Sequence, residues 1–421
     1  MLRSRLELAG LALSLLMIAA ATLPSGAPSR VHVITLCLVC ATNGLASAGL
    51  NVALFVPFGF FLQRRWRRTA RVVRWGFLLS LAIELLQLTV VQGRETAVGD
   101  LVANTAGAAL GALLAWRPGA WLLPRGDARR GLGAAAAALS TVVLLATAEL
   151  LEPSAPPGHY WVQWNPEWRR TGGEGGEVIA SDLDGAALVM GRMADPDPFR
   201  AAVLAGGVLR VRIIVREPAE DPEPLFRVVT GVLNEGTLAF SLLAHRDALV
   251  IEPRFRADDH DLARPPFRLE GALAGTRPGD TLDLRFQRVV GRGESVTVGD
   301  RPPALLSNTI GRGWALIYTA PNHLFALRAV VDLLWLGALA GLVGWYARSA
   351  RATAGALVPL LIAAWWAPRT TDLDATRWRE YAALVAGAAA GALLRRAAER
   401  LAARLADDAR AAQRREGVQT S

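Results

Sequence analysis

The sequence predicts an α-helical polytopic membrane protein of about eight spans, with an antiparallel β-sandwich domain inserted among them. Long apolar runs fill residues 6–151 and 324–394, and a helix crosses the hydrocarbon core of a bilayer with about 20 apolar residues. Between these runs, residues 152–323 are polar, rich in Pro and Gly, and divided into short apolar segments. The averages of 52% hydrophobic and 20% charged residues therefore combine two unlike parts.

Five spans are predicted before the polar region. The first follows two arginines and resembles a signal peptide in isolation, but further spans follow it, so we expect a retained helix. Small and polar residues together with Pro57 interrupt the second run, which predicts a kink or a partly re-entrant section. The five predicted spans are residues 6–23, 31–62, 73–91, 100–116 and 131–151.

Three more spans are predicted after the polar region, at residues 324–347, 352–367 and 380–394. The last two are short, so seven spans in total is the alternative count. The predicted domains are a four-span membrane domain at 1–130, a fifth span at 131–151, the inserted domain at 152–323, further spans at 324–396 and a charged tail at 397–421.

The loop charges predict the orientation. Arginines crowd residues 63–74 and 117–130 and the C-terminal tail, and such residues are retained on the cytoplasmic side. With eight spans, residues 152–323 are then extracytoplasmic and both termini are cytoplasmic, in a bacterial inner membrane.

Composition excludes several function classes. All 46 basic residues are Arg and the net charge is +9, but the chain shows no basic patch with interleaved aromatic residues, so we expect no nucleic-acid partner. The cysteines Cys37 and Cys40 both lie in an apolar run. They predict small buried residues rather than a redox or metal pair, and they exclude a disulfide framework in the insert.

The inserted region has the texture of strands. Within residues 203–320, short segments such as VLRVRIIV and TLAFSLLAH alternate with turns such as Arg277-Pro278-Gly279-Asp280, which favours an antiparallel sandwich. This succession resembles laminin-G/concanavalin-like domains, and the resemblance implies glycan binding or a passive interaction module.

Two features of the insert have alternative interpretations. Four aspartates, Asp182, Asp184, Asp195 and Asp197, could supply oxygen ligands for Ca²⁺, but polar loops are the interpretation that we adopt, so no metal site is predicted. The aromatic group Tyr160, Trp161, Trp164 and Trp168 indicates an interfacial belt at the membrane, with a sugar-stacking surface as the alternative.

The strongest signal is a set of polar residues inside the predicted spans. Ionisable groups in a bilayer cost several kcal/mol and mark functional sites. Glu84 and Gln87 share one helix face, Asp100 and Asn104 share another, and Arg94 lies between the two helices. The predicted ligand-binding residues are Asn51, Glu84, Gln87, Arg94, Asp100 and Asn104. Polar groups that merely fix helix packing are the alternative.

These residues carry a family resemblance. Asn51 before Phe55-Val-Pro57-Phe-Gly59, then Glu84-x-x-Gln87, Arg94, Asp100 and Asn104-x-x-Gly107 occur in the order typical of the VanZ-like family. The resemblance covers about residues 6–116, and fusions of such a module to a laminin-G-like insert resemble the whole layout. It implies a membrane protein linked to antibiotic resistance, because the founding member is associated with teicoplanin resistance, but it implies no reaction.

The sequence also contains a weak internal similarity. Residues 369–372 followed by 386–391 loosely repeat residues 94–100 followed by 107–111. A degenerate second module is one interpretation, and a bias toward Ala and Gly is the other.

We expect a cell-envelope protein whose membrane pocket binds a lipid-linked or amphiphilic ligand or a glycopeptide, and whose insert contacts glycan or a partner. A transporter or flippase of an envelope precursor is the alternative. An enzyme acting on a lipid phosphate is disfavoured, because no nucleophile or known catalytic motif lies in the cluster. No catalytic residue and no cofactor are predicted. Membrane lipids are expected partners, and the oligomeric state is left open.

Overall fold

The fold is taken from a computed structural model that carries the whole chain. The described residues are 2–23, 34–35, 43–89, 96–164, 175–231, 237–318 and 327–419. They form two compact units. The first comprises Met1–Thr141, Leu333–Leu361 and Ala382–Ser421, and the second comprises Val142–Asp332 and Ile362–Tyr381.

Ten α-helices are seen in the described part of the chain. They are α1 (Leu2–Thr22), α2 (Gly44–Trp66), α3 (Thr69–Thr89), α4 (Val98–Leu114), α5 (Pro118–Trp121), α6 (Gly126–Leu150), α7 (Asp197–Ala205), α8 (Arg328–Tyr346), α9 (Ala350–Thr370) and α10 (Trp378–Gln419). A short parallel pair, β1 (Ile34–Thr35) with β2 (Thr96–Ala97), lies between α1 and α4 in sequence.

Six of the described helices are long and apolar enough to cross a membrane: α1, α2, α3, α6, α8 and α9. Helix α4 is apolar but shorter, and the eighth predicted span forms the beginning of the 42-residue helix α10. The helical membrane part of the predicted fold is therefore supported. The count of eight spans stays a prediction.

The second span differs from its prediction at its start. The prediction placed it at residues 31–62, whereas α2 begins at Gly44, after Asn43 in a left-handed backbone conformation. Pro57 lies inside the helix, which nevertheless continues to Trp66. The cysteines at positions 37 and 40 lie outside the described residues.

Small residues set the packing of α2 against α4. A Cβ on Gly107 would collide with the carbonyl oxygen of Val52, and a Cβ on Gly111 would collide with that of Val56. In return, Gly59 of α2 packs against the backbone of Ala108. Helices can approach this closely only where side chains are absent. The buried core between these elements is Ile18, Phe55, Phe58, Leu62, Val72, Ile83, Ala108 and Ala112.

The second unit contains two six-stranded antiparallel sheets, with strand orders β11-β10-β9-β8-β3-β6 and β14-β13-β12-β7-β4-β5. Their strands are β3 (Tyr160–Trp164), β4 (Gly176–Leu183), β5 (Ala186–Ala187), β6 (Gly191–Arg192), β7 (Val208–Val215), β8 (Glu223–Thr230), β9 (Thr237–His245), β10 (Ala248–Pro253), β11 (Phe267–Leu269), β12 (Thr281–Val289), β13 (Gly293–Val298) and β14 (Ala304–Leu306).

The two sheets face each other across an apolar core. In β7, Leu209, Val211 and Ile213 are buried while Arg210 and Arg212 are exposed, as the two-residue period of a half-buried strand requires. Phe240 of the first sheet meets Phe286 of the second with ring centroids 5.4 Å apart. The predicted sandwich-like architecture is confirmed. The finer laminin-G/concanavalin assignment stays a prediction.

Two members of the aromatic group belong to the sandwich. Tyr160 is fully buried and donates a hydrogen bond to the carbonyl oxygen of Pro156, while Trp164 stacks on Phe226. Both residues therefore belong to the sandwich, and Tyr160 is not part of an exposed aromatic belt. Residue 168 lies outside the described residues.

Three of the four aspartates considered for Ca²⁺ stabilise loops, and the fourth, Asp197, pairs with Arg200 of α7. Asp182 accepts a hydrogen bond from the backbone N–H of Gly185, and Asp184 accepts one from that of Val208. Asp195 accepts one from that of Asp197. Within the described ranges, no group of three or more His, Cys, Asp or Glu side chains is arranged to hold a metal ion.

Candidate functional site

The predicted polar residues gather at one end of the first four helices. Asn51 lies in the second turn of α2, Glu84 and Gln87 lie near the end of α3, and Asp100 and Asn104 begin α4. Hydrogen bonds join the helices on which these residues lie. We call Asn51, Ser80, Glu84, Gln87, Asp100 and Asn104 the polar cluster.

Asn51 and Asp100 are in direct contact across two helices. The Asn51 Nδ2 atom donates a hydrogen bond to Asp100 Oδ1 at 2.7 Å. Asp100 lies in the first turn of α4, where unpaired backbone N–H groups and the helix dipole favour a negative charge. This contact therefore joins the start of α4 to α2.

The close approach of the glycines explains this contact. Gly107 lies two turns after Asp100 on α4 and packs against the carbonyl of Val52, the residue that follows Asn51. The backbone contact brings the two helices within reach of the short side chains of Asn51 and Asp100. A larger residue at position 107 would separate the two groups.

Asn104 is buried and only partly satisfied. Its Nδ2 atom donates to Ser80 Oγ of α3 at 3.0 Å, and its exposed fraction is 2%. Its Oδ1 atom is buried without a hydrogen-bond partner among the described residues. A buried acceptor without a donor costs about 1–3 kcal/mol, so the cluster keeps an acceptor that a ligand N–H, a ligand O–H or a water molecule could satisfy.

Gln87 joins the end of α3 to the end of α1. Its Nε2 atom donates to the carbonyl oxygen of Thr22 at 3.0 Å. Thr22 is the last residue of α1, where carbonyl groups have no partner inside the helix. Glu84, one turn before Gln87 on α3, is also buried. The cluster therefore involves all four helices.

Two contributors were not among the predicted site residues, namely Ser80 and Thr22. Ser80 is fully buried, yet a single serine in an apolar helix gives little signal in the sequence. Thr22 contributes through its backbone, which no side-chain pattern reveals. In contrast, Arg94 was predicted but lies outside the described residues.

The chemistry of the cluster is that of hydrogen bonding. It offers amide donors and acceptors, one serine hydroxyl and two carboxylates, in a setting of apolar helices. Neither a thiol nor an imidazole is among the described members of the polar cluster.

The comparisons with known proteins locate the same region. A family model described as VanZ/LLP1 matches residues 13–122. This part of the chain is similar to the VanZ/LLP1 family. The match runs from α1 through α5 and includes every described member of the polar cluster. Together with the apolar helices, it supports a VanZ-like multi-pass membrane protein.

The other two comparisons found nothing, because no curated protein and no solved structure matches the chain.

Proposed function

We propose that this VanZ-like protein of the bacterial inner membrane binds a lipid-linked or amphiphilic ligand of the cell envelope at the polar cluster. The observation that carries the proposal is the Oδ1 atom of buried Asn104, which has no hydrogen-bond partner among the described residues. Polar groups whose only task is to join helices are normally satisfied by one another.

The location of the cluster supports an amphiphilic ligand. Asn51, Gln87 and Asp100 lie near the end of the apolar helices at which α1 and α3 end and α2 and α4 begin, while the Ser80–Asn104 pair lies deeper. A ligand with acyl chains could place its tail among lipids and its polar headgroup at this end. Arg94, which follows α3 in sequence, would pair with a phosphate or carboxylate of such a headgroup.

The positions of the arginines support the proposed orientation. With the Arg-rich loops and both termini in the cytoplasm, the polar cluster and the sandwich are on the extracytoplasmic side. There the sandwich would meet cell-wall glycan or a protein partner, in keeping with the laminin-G/concanavalin resemblance. A role in resistance to a glycopeptide follows from the VanZ-like resemblance alone.

The experiment compares variants of the purified full chain in detergent. We expect Arg94→Ala, Glu84→Gln and Asn104→Ala to accumulate like the parent and to bind a fluorescent short-chain phosphatidic acid at least about tenfold more weakly, because each removes a charged or polar contact. Phosphatidylcholine of the same chain length reports non-specific partitioning, and teicoplanin is a second probe.

Thr105→Val is the matched control, because Thr105 lies beside Asn104 but its hydroxyl bonds only to the carbonyl of Leu101 in its own helix. If the three cluster variants lose abundance or unfold at a lower temperature, and binding by the parent does not exceed partitioning, the cluster holds helices together and the proposal is wrong.

A transporter or flippase of an envelope precursor is the second candidate. It is favoured by Pro57 inside α2, because a proline removes a backbone hydrogen bond and gives a helix a point at which it can bend. Movement of the fluorescent lipid between leaflets of reconstituted vesicles would distinguish transport from binding.

A further inference from the structure

Helices α6, α8, α9 and α10 form a second set of four helices that corresponds in chain order to α1, α2, α3 and α4. Helices α3 and α9 have 21 residues each, and each is followed by a short connection, at residues 90–97 and 371–377. The second set differs by the insertion of the sandwich between α6 and α8, where the first set has residues 23–43.

The glycine contacts coincide position by position. On α4, Gly107 and Gly111 pack against the carbonyls of Val52 and Val56. On α10, Gly387 and Gly391 pack against those of Gly337 and Gly341 in α8. The return contact of Gly59 with Ala108 also has a counterpart, Gly344 with Ala388. The difference in residue number between Gly387 and Gly107 is the same for the other matched positions of α10 and α4. The difference between Gly337 and Val52 is likewise the same for the other matched positions of α8 and α2.

Sequence and burial agree with this alignment. Residues 107–114 read GAALGALL and residues 387–394 read GAAAGALL. In α9, positions 361–369 have the same succession of buried, intermediate and exposed residues as positions 81–89 of α3, under the same shift as α4 and α10. A bias toward Ala and Gly would reproduce the composition, but not three coincident pairs of backbone contacts.

We infer that α6, α8, α9 and α10 are a second copy of the four-helix module, that this copy has lost ligand binding, and that its corresponding end holds the sandwich of the same chain. The loss of ligand binding rests on the proposed function of the first copy. The duplication and the holding of the sandwich do not.

The second copy has apolar residues where the first has its polar cluster. Asn51, Ser80, Glu84, Gln87 and Asn104 correspond to Leu336, Leu360, Ala364, Ala367 and Leu384. All five counterparts are at most 1% exposed. A headgroup that needs hydrogen bonds would find none at these positions, and its desolvation would be uncompensated.

Only the acidic position is kept. Asp100 corresponds to Glu380, which lies in the first turn of α10 and is 4% exposed. Its Oε2 atom accepts a hydrogen bond from the backbone N–H of Arg377, and its Oε1 atom lies against Gly311. Gly311 belongs to the segment Ile310–Leu316, a 3-10 helix that follows the last strand of the sandwich. The kept acid is thus covered by the chain's own insert.

Asp332 of α8 also contacts the segment Ile310–Leu316. It accepts a hydrogen bond from Trp314 Nε1 at 2.6 Å, and its carboxylate lies 3.6 Å from the guanidinium of Arg312. Arg312 is 3% exposed. Because a buried charge without a counter-ion is strongly unfavourable, the segment is stable in this position only while Asp332 is present.

The connection between α9 and α10 makes a second set of contacts with the sandwich. Asp372 is ion-paired with Arg288 of β12 and accepts a hydrogen bond from the backbone N–H of Gly291. The backbone N–H of Asp374 donates to the carbonyl oxygen of Asn308 at 2.8 Å. The ends of β12 and β14 are therefore held by the connection between α9 and α10. This connection corresponds to the connection between α3 and α4 in the first copy, next to the polar cluster.

Matched glycine substitutions test the duplication. We expect Gly107→Leu and Gly387→Leu each to lower the unfolding temperature of the purified full chain by several degrees or to abolish accumulation, since both meet a backbone carbonyl. Gly355→Leu in α9 is the control, because nothing lies within 4 Å of a Cβ there. If Gly387→Leu is tolerated like Gly355→Leu, the second copy does not pack like the first and the inference is wrong.

Amide hydrogen exchange and probe binding together test the division of roles. Asp332→Ala should speed exchange in residues 310–316 at least about tenfold and leave binding of the phosphatidic acid probe unchanged. Asp100→Asn should weaken that binding about tenfold and leave the exchange unchanged. Arg312→Met replaces Asp332→Ala if the latter does not accumulate. Asp127→Ala is the control, because the Asp127 carboxylate is exposed and pairs with Arg130 of its own helix.

The outcomes are separable. Unchanged exchange in Asp332→Ala or Arg312→Met overturns the holding role, and weaker probe binding in Asp332→Ala overturns the loss of ligand binding in the second copy. If the parent itself does not bind the probe, the proposed function fails, while the exchange measurement still decides whether this end of the second copy holds the sandwich.

Discussion

At the scale of single residues, Glu294 makes the stability of the sandwich depend on pH. It lies in β13 and lines a cavity of about 50 Å³, together with the buried guanidinium groups of Arg254 and Arg288. Loss of hydration raises the pKa of the Glu294 carboxyl to about 7, a change that the charge of Arg288 opposes and that of Asp372 reinforces. The folded state therefore favours the neutral form of this carboxyl.

The expected effect on stability follows from linkage. Because the folded pKa is raised above the ordinary value of 4.5, the contribution of Glu294 is fully present below about pH 4.5 and is lost as the pH rises through about 7. We expect Glu294→Gln to raise the unfolding temperature at pH 8 relative to the parent, and to have little effect at pH 4. Fluorescence-monitored melting at both pH values measures it.

Glu270→Gln, at an exposed carboxylate, is the control for that comparison. Equal shifts of the unfolding temperature at pH 4 and pH 8 would contradict the assignment.

Residue types differ in how well a sequence reports them. Asn51, Asp100 and Asn104 could be singled out because amides and carboxylates are costly in apolar helices. Ser80 could not, since hydroxyl groups in helices usually bond to their own backbone, as Ser14 does with the carbonyl oxygen of Gly10. The partner of Asn104 therefore became visible only when α3 and α4 were placed side by side.

At the scale of elements, regular alternation decided which strands could be predicted. β7 alternates strictly and was expected. β4 contains an irregularity between Val178 and Ala180, which breaks the two-residue period. β4 lies outside residues 203–320, the region that the sequence predicted to form strands. Helix α10 is longer than the predicted span at 380–394 because Gly417 is the first glycine after Gly391, and no proline follows.

The packing of the two sheets makes a prediction at this scale. Phe286 of β12 is 4% exposed and touches Phe240 of the opposite sheet. We expect Phe286→Ala to lower the free energy of unfolding of the sandwich by about 3 kcal/mol, the lower end of the range for such changes, because a cavity already borders the ring.

Chemical denaturation followed by tryptophan fluorescence measures this loss, with Val290→Ala at a 61% exposed position as the control. A loss in Phe286→Ala no greater than that in Val290→Ala would show that the two sheets are not packed through this ring.

At the scale of the whole molecule, the arrangement is a helical membrane part with a sandwich inserted into the sequence of its second four-helix set. Insertion at a connection between helices leaves both helix sets intact, because the ends of the connection remain where they were. The second copy thereby gained an insert, and the first kept its polar cluster.

The side of the membrane that the sandwich faces is open to a direct measurement. In a chain with Cys37→Ser and Cys40→Ser, we expect Val189→Cys, at a 75% exposed position in the sandwich, to react with a membrane-impermeant maleimide in spheroplasts. Arg404→Cys, in the C-terminal half of α10, should react only after lysis, as the arginine distribution requires. The reverse pattern would show that the predicted orientation is wrong.

Apolar length, two-residue alternation and polar groups in apolar runs are local properties of the chain. The sequence alone could therefore predict the helical membrane class, the sandwich-like insert and the polar residues Asn51, Glu84, Gln87, Asp100 and Asn104, but not Ser80. The tertiary structure was needed to show that Asn104 has an acceptor without a partner among the described residues. It was also needed to show that the internal similarity is a position-by-position repeat of backbone contacts, and that Asp332 and Asp372 contact the sandwich. Those facts depend on which helices and strand ends meet, and residues distant in sequence are brought together only by the packing of the whole chain.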